Sequence, residues 1–157
     1  MSQLSFEKKK KFHIAIMRKS WGLTEKILSG EKTIESRWYK NKARPWGKIG
    51  ERDEIYFKNT GEPVKIKAQV ERVLQFENLN PQKVKEILEK YSQDDGLGVK
   101  AGELKKYFQM FKDKKYCILV FLKDPQEIRP FAIDKTGFGA MAAWITVDDL
   151  DKIRRRI

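Results

Sequence analysis

Hydrophobic and polar positions change their period several times along the chain, and each change predicts an element. Phe12, Ile14 and Ile16 alternate with His13 and Ala15, the two-residue period of a strand. Leu23, Ile27 and Leu28 then recur at helical spacing, and Gly30 stands where a glycine ends a helix. From Thr33 to Trp38 the period returns to two, with Thr33, Glu35 and Arg37 on one face and Ile34, Ser36 and Trp38 on the other. Beyond the turn-rich Pro45-Trp46-Gly47, residues 54–58 predict a strand and Asn59-Thr60-Gly61-Glu62 a hairpin loop. Val64, Ile66, Ala68, Val70 and Leu74 alternate with Lys65, Lys67, Gln69, Glu71 and Val73, broken only at Arg72, which describes a half-buried strand.

Asn80 followed by Pro81 is a helix start, and Val84, Ile87, Leu88 and Tyr91 supply its apolar face. A polar turn over residues 93–98 separates it from a second amphipathic helix carrying Leu104, Tyr107, Phe108 and Phe111. Strands are predicted over residues 116–122, 128–133 and 142–146. Thr146 and Asp149 then read as a capping box for a terminal helix. Strands interrupted by two inserted helices predict an α+β chain built on a small mixed barrel.

A length of 157 residues with 40% hydrophobic content suits one core. The expected division is a basic N-terminal tail (1–11), one domain (12–151) and a basic C-terminal end (152–157). No run approaches the roughly 20 apolar residues of a membrane span, and no signal-peptide core follows Lys8 to Lys11. A cytoplasmic protein with no membrane partner is expected. Cys117 lies in an apolar run, which predicts a buried, reduced thiol. One His and one Cys make no zinc cluster, and His13 alone builds no Ser-His-Asp triad. No metal or cofactor is expected, and the sequence leaves the oligomeric state open.

The net charge of +12 is unevenly placed. Residues 1–11 contribute +3 and residues 152–157 contribute +4, leaving +5 for residues 12–151. Residues 31–48 hold Lys32, Arg37, Lys40, Lys42, Arg44 and Lys48 against Glu31 and Glu35, so most of that excess sits in one segment. Arg37 offers a planar fork for phosphate or carboxylate, and Lys32 a compact charge for a phosphate or a developing oxyanion. Glu35 suits an exocyclic amine or the role of general base; equally, it pairs with Arg37 or Lys32 and neutralises a buried charge. Lys32 shares the parity of Ile34, so it joins the other two only if the turn re-aims it. Trp38, Tyr39 and Trp46 interleave with Lys40, Lys42, Arg44 and Lys48, a composition that serves base stacking beside phosphate contacts or, as readily, core packing and a loop clamp. Gly137 and Gly139 let backbone amides approach a phosphate, or simply form a tight turn.

Gly30-Glu31-Lys32-Thr33-Ile34-Glu35-Ser36-Arg37 matches the G-x-K-x-x-E-x-R signature of the ASCH family, and the chain resembles that family over roughly residues 12–150. The resemblance implies a PUA-like mixed β-barrel with flanking and inserted helices, and a basic cleft lined by Lys32, Glu35 and Arg37. It implies an RNA or nucleotide partner, contacted also by Trp38, Tyr39, Lys40, Lys42, Arg44, Trp46 and Lys48. Some branches of the family are hydrolases, so the alternative is a ribonuclease or amidohydrolase with Lys32 and Glu35 as its catalytic residues. In the amidohydrolase branch a threonine nucleophile stands where this chain has Glu35, which weakens that alternative.

Overall fold

The structure is a computed structural model that describes residues 9–98 and 100–155. Its strands are β1 (Phe12–Met17), β2 (Ile34–Tyr39), β3 (Glu54–Asn59), β4 (Val64–Phe76), β5 (Tyr116–Ile133), β6 (Trp144–Val147) and β7 (Arg154–Arg155). Helix α1 (Leu23–Ser29) separates β1 from β2, while α2 (Pro81–Tyr91) and α3 (Ala101–Phe111) separate β4 from β5. The strands lie in the order β2-β5-β4-β3-β1-β6, with β7 added to β5. Only β1 and β3 run parallel; the other pairs are antiparallel, so the sheet is mixed.

Local chemistry explains most element ends. Asn80 accepts a hydrogen bond from the Lys83 amide at 2.8 Å and caps α2, with Pro81 in the first turn where its missing N–H costs nothing. Gly30 closes α1 at φ 84°, a conformation that disfavours any side chain bearing a Cβ.

The sequence pattern is modified at two strands and at the C-terminal end. Residues 116–122 and 128–133 are one strand rather than two, because the 18-residue β5 runs through Asp124 and Pro125 beside the equally continuous β4. Register shifts along that pair absorb the irregular residues, including the break at Arg72. The expected terminal helix is a short 3-10 turn (Leu150–Lys152) followed by β7. Asp149 caps that turn through the Asp151 amide, whereas Thr146 turns inward and bonds the His13 ring at 3.0 Å.

Three apolar clusters hold the layers together. Ala15, Phe57, Ile118, Val120 and Trp144 fill the concave side of the sheet with Leu23 and Ile27 of α1. On another face, α2 and α3 pack on Ile34, Trp38, Cys117 and Leu119. Ile14, Tyr56, Phe131 and Ile145 form the third, covered by the residues that follow β5 and β6. His13 is buried within this frame and is a structural residue. The Trp144 indole N–H, which can only donate, reaches His13 Nδ1 at 3.1 Å. The ring proton therefore sits on Nε2 and is donated to Asp53 at 2.8 Å.

Candidate functional site

The turn between α1 and β2 places Lys32 under the α2–α3 loop. The Lys32 amide donates to Lys26, and the amides of Thr33 and Ile34 both donate to the Asp94 carbonyl, which draws that loop over the turn. Gly96 sits directly on the Lys32 side chain, where a methyl group would come within 3.2 Å of its Cβ. Lys32 is 1% exposed. Its ammonium donates to the carbonyls of Ile34 and Asp95 and to Asp95 Oδ1, each at 2.6 Å, and lies 3.2 Å from Glu35 Oε1.

This corrects the expectation that Lys32 offers its charge to a ligand. Three N–H donors meet buried acceptors on every side, and burial without such partners would strongly disfavour the cation. Burial pulls the Lys32 pKa down, but the charges of Asp95 and Glu35 outweigh it and the net direction is upward. Burial, reinforced by the Glu35 charge, pushes the Asp95 carboxyl upward against the opposing pull of Lys32. Ser36 closes the network by donating to Asp95 Oδ2 while accepting from the Trp38 indole at 3.1 Å.

Glu35, 3% exposed, is spent in the same way. Its Oε1 faces Lys32, while Oε2 accepts from Arg37 Nε at 3.0 Å and lies 2.9 Å from Nη2. A general base needs a free lone pair directed at substrate, and here both oxygens are engaged. The three signature side chains do converge, as a linear chain of contacts running outward from Lys32 through Glu35 to Arg37. Only the last member reaches the surface.

Arg37 spans the seam between the first and last parts of the sheet. From β2 its Nη2 donates to Ile16 of β1 and its Nη1 to Ala143 just before β6, both at 3.3 Å. Met17 Sδ lies 3.4 Å from Nη2, and the guanidinium stacks 5.0 Å from the Trp144 ring. Trp21 borders the same concave cluster, with Arg18 stacked 5.2 Å over it and Tyr107 of α3 edge-on at 5.7 Å. Sequence spacing could not place Met17, Trp21, Tyr107 or Asp95 at this site, because each arrives through a long-range contact.

The remaining predicted contact residues divide. Trp38 is a core residue, stacked 4.7 Å from Phe111 and nearly parallel to it, because its strand parity points it toward α3. Tyr39 shares the face of Glu35 and Arg37, and its hydroxyl donates to the Arg44 carbonyl at 2.7 Å, fastening the 40–48 loop. Burial and the Glu35 charge raise the phenol pKa against the opposing effect of Arg37. Trp46 is half-buried, edge-on to Tyr116 at 5.3 Å, with the Lys42 ammonium 5.6 Å above its ring. Lys40, Lys42, Arg44 and Lys48 are exposed. Lys42 approaches Glu77 at 3.9 Å; no described carboxylate pairs with the other three.

Neither of two open pockets, of 340 Å³ beside Lys67 and Asp124 and of 470 Å³ beside Lys135, is lined by Lys32, Glu35 or Arg37. Among the described residues, no helix is long and apolar enough to cross a membrane, and no three His, Cys, Asp or Glu side chains are grouped to hold a metal ion.

No protein-family model and no curated protein matches the sequence. Solved structures are. The ASCH protein of Zymomonas mobilis superposes with a TM-score of 0.61 at 18% identity, over 92% of this chain and 96% of that one. A tyrosine-to-phenylalanine variant of the same protein gives 0.63 at 18% identity with the same coverage. A serine-to-alanine variant gives 0.63 at 19% identity, covering 92% of this chain and 94% of its own. The chain therefore has the ASCH fold, an α+β PUA-like architecture.

Proposed function

We propose that this chain binds RNA or a nucleotide along a surface that begins at Arg37 and continues through Tyr39 into the 40–48 loop. The observation that carries the reading is one strand face. Glu35 and two backbone carbonyls aim the Arg37 guanidinium at the seam. Two residues further on, Tyr39 ties down a loop whose Lys40, Arg44 and Lys48 have no carboxylate partner among the described residues. Aimed guanidinium and unpaired ammonium groups suit phosphates, and the partly exposed ring of Trp46 suits stacking of a base. Lys32 and Glu35 act from beneath, holding Arg37 in register without touching the ligand. This surface extends along the chain rather than enclosing a ligand, which favours a strand or a nucleotide end over a small neutral molecule.

Fluorescence anisotropy with single-stranded RNA tests the reading. Arg37→Gln keeps a hydrogen-bonding side chain beside Glu35 but removes the charge. Its affinity should fall about tenfold, and wild-type affinity should drop steeply with salt. Equal affinity of the two proteins for RNA and for mononucleotides would reject this surface. Release of product from RNA fragments or modified nucleosides in the same samples would assign a hydrolase instead.

A further inference from the structure

Trp46, in the 40–48 loop, and Tyr116, at the start of β5, form an aromatic corner that the protein fills with its own cation. The two rings meet edge to face, 5.3 Å apart and inclined by 75°, a favoured arrangement of neighbouring aromatic side chains. The Lys42 ammonium lies over both, 5.6 Å from the centre of the Trp46 ring and 5.9 Å from that of Tyr116. Its nearest carboxylate among the described residues is Glu77, 3.9 Å away. The side chains of Lys42 and Glu77 are 54% and 56% exposed, so water screens the pair and it holds the ammonium only weakly.

The corner is fixed where its occupant is not. Within the loop the Trp46 amide donates to Ala43 and the Lys48 amide to Pro45. The Gly47 amide donates to Gln75 Oε1 of β4 at 2.7 Å, and the Tyr39 hydroxyl holds Arg44 from β2. Trp46 packs against the concave cluster, and Tyr116 is set in the β2–β5 ladder opposite Tyr39. The ring surface beneath Lys42 is therefore one that an exposed side chain reaches from water. Trp38 and Trp144 offer no such surface, since Phe111 stacks on the first and the Arg37 guanidinium on the second, and both are buried.

Magnitudes decide which occupant wins. A cation over an exposed ring contributes roughly twofold to fivefold to an equilibrium constant, whereas a stacked base contributes roughly fivefold to a hundredfold. A base therefore displaces the ammonium, and the flexible lysine stem lets the charge move to a phosphate beside it. We propose that the Trp46–Tyr116 corner is a nucleobase subsite, which Lys42 fills in the free protein and vacates for the phosphate next to the bound base. The assignment deepens the reading of the 40–48 loop and rests on it for RNA as the source of that base.

The test is a ¹H–¹⁵N NMR titration of the full chain with adenosine 5′-monophosphate and with ribose 5-phosphate, at constant ionic strength. The two ligands carry the same phosphate and differ in the base. Four tryptophans give four indole N–H signals, and sequential assignment identifies that of Trp46. The nucleotide should shift it saturably, with about tenfold higher affinity than ribose 5-phosphate. The indoles of Trp38 and Trp144 should stay still, because each donates to an internal partner, Ser36 and His13. In Lys42→Gln, an exposed site whose change leaves the fold intact, the corner is cleared, and the preference for the nucleotide should rise about twofold to fivefold. Equal affinity for the two ligands, shifts at Trp21 in place of Trp46, or a preference that fails to rise in Lys42→Gln would overturn the assignment. Single-stranded RNA separates this inference from the reading it rests on. RNA that binds in the anisotropy assay while the nucleotide leaves Trp46 unmoved removes the corner and keeps the loop surface. A nucleotide seated in the corner of a protein that fails to bind RNA keeps the corner and assigns it to a free nucleotide.

Discussion

Residues 31–37 and residues 40–48 draw on the same basic side chains, yet the first stretch ends inside the protein and the second on its surface. Lys32 is enclosed by Asp95, Glu35 and backbone carbonyls, whereas Lys40, Arg44 and Lys48 have no partner of opposite charge among the described residues. The difference teaches that a basic motif is not one signal. A cation sealed by acceptors on every side serves the fold, because its removal from water is offset only by those contacts. A cation left in water contributes little to the fold, so its charge stays available and its removal changes little else. Arg37 lies on the boundary, anchored to Glu35 within and bonded to the Ala143 carbonyl at the seam.

The comparison is broken most decisively at Asp95. Asp95→Ala leaves the buried Lys32 ammonium with two backbone carbonyls and Glu35 as its one counter-charge among the described residues, and should cost about 3–5 kcal/mol of stability, read from urea unfolding; a loss below about 1 kcal/mol would mean that the cluster is not what secures the loop. Gly96→Ala should cost about 1–3 kcal/mol, since its φ is 74° and the new methyl would press on the Lys32 stem. A thermal melt checks that figure, and a neutral result would mean that the loop sits less tightly than 3.2 Å implies.

The opposite behaviour is expected of the outer stretch. Replacing Lys40, Lys42, Arg44 and Lys48 together by Gln should change stability by less than about 0.5 kcal/mol per site. It should also make the salt dependence of single-stranded RNA binding shallower by about 3 in logarithmic slope. A large loss of stability with unaltered RNA binding would reverse the assignment of the two stretches.

The smallest effect is the pH dependence of the inner cluster. The folded-state pKa of Lys32 is raised above its ordinary 10.5, so its contribution to stability is fully present below that value and is lost as pH rises through the higher folded value. Exposed Lys19 and Lys152 have raised pKa values for similar reasons, but their pairs are screened by salt. An alkaline fall in unfolding free energy that persists at high salt therefore reports Lys32 together with the buried Cys117 and Tyr56 and the half-buried Tyr39, whose pKa values are also raised, and the part of it that is absent in Lys32→Met belongs to Lys32. Its disappearance at high salt would place the titration on the surface instead.

Much of the fold was legible in the chain because its determinants are local. The Asn80-Pro81 cap, the Gly30 stop, the alternation from Val64 and the two helices after it all depend on neighbours within a turn or a strand. The split of β5 was misread because Asp124 and Pro125 interrupt the local pattern, and only the paired length of β4 carries the strand through them. The site was legible in residue type and illegible in exposure. The sequence determined that Glu35 and Arg37 share one strand face and that charge gathers over residues 31–48, while the place of Lys32 beside them depended on the turn. Tertiary structure alone decided which of those charges meets water: Asp95 is 63 residues from Lys32 along the chain, and Ala143 is 106 from Arg37. Burial is set by whatever the fold brings from afar to cover a side chain, and no local period records that.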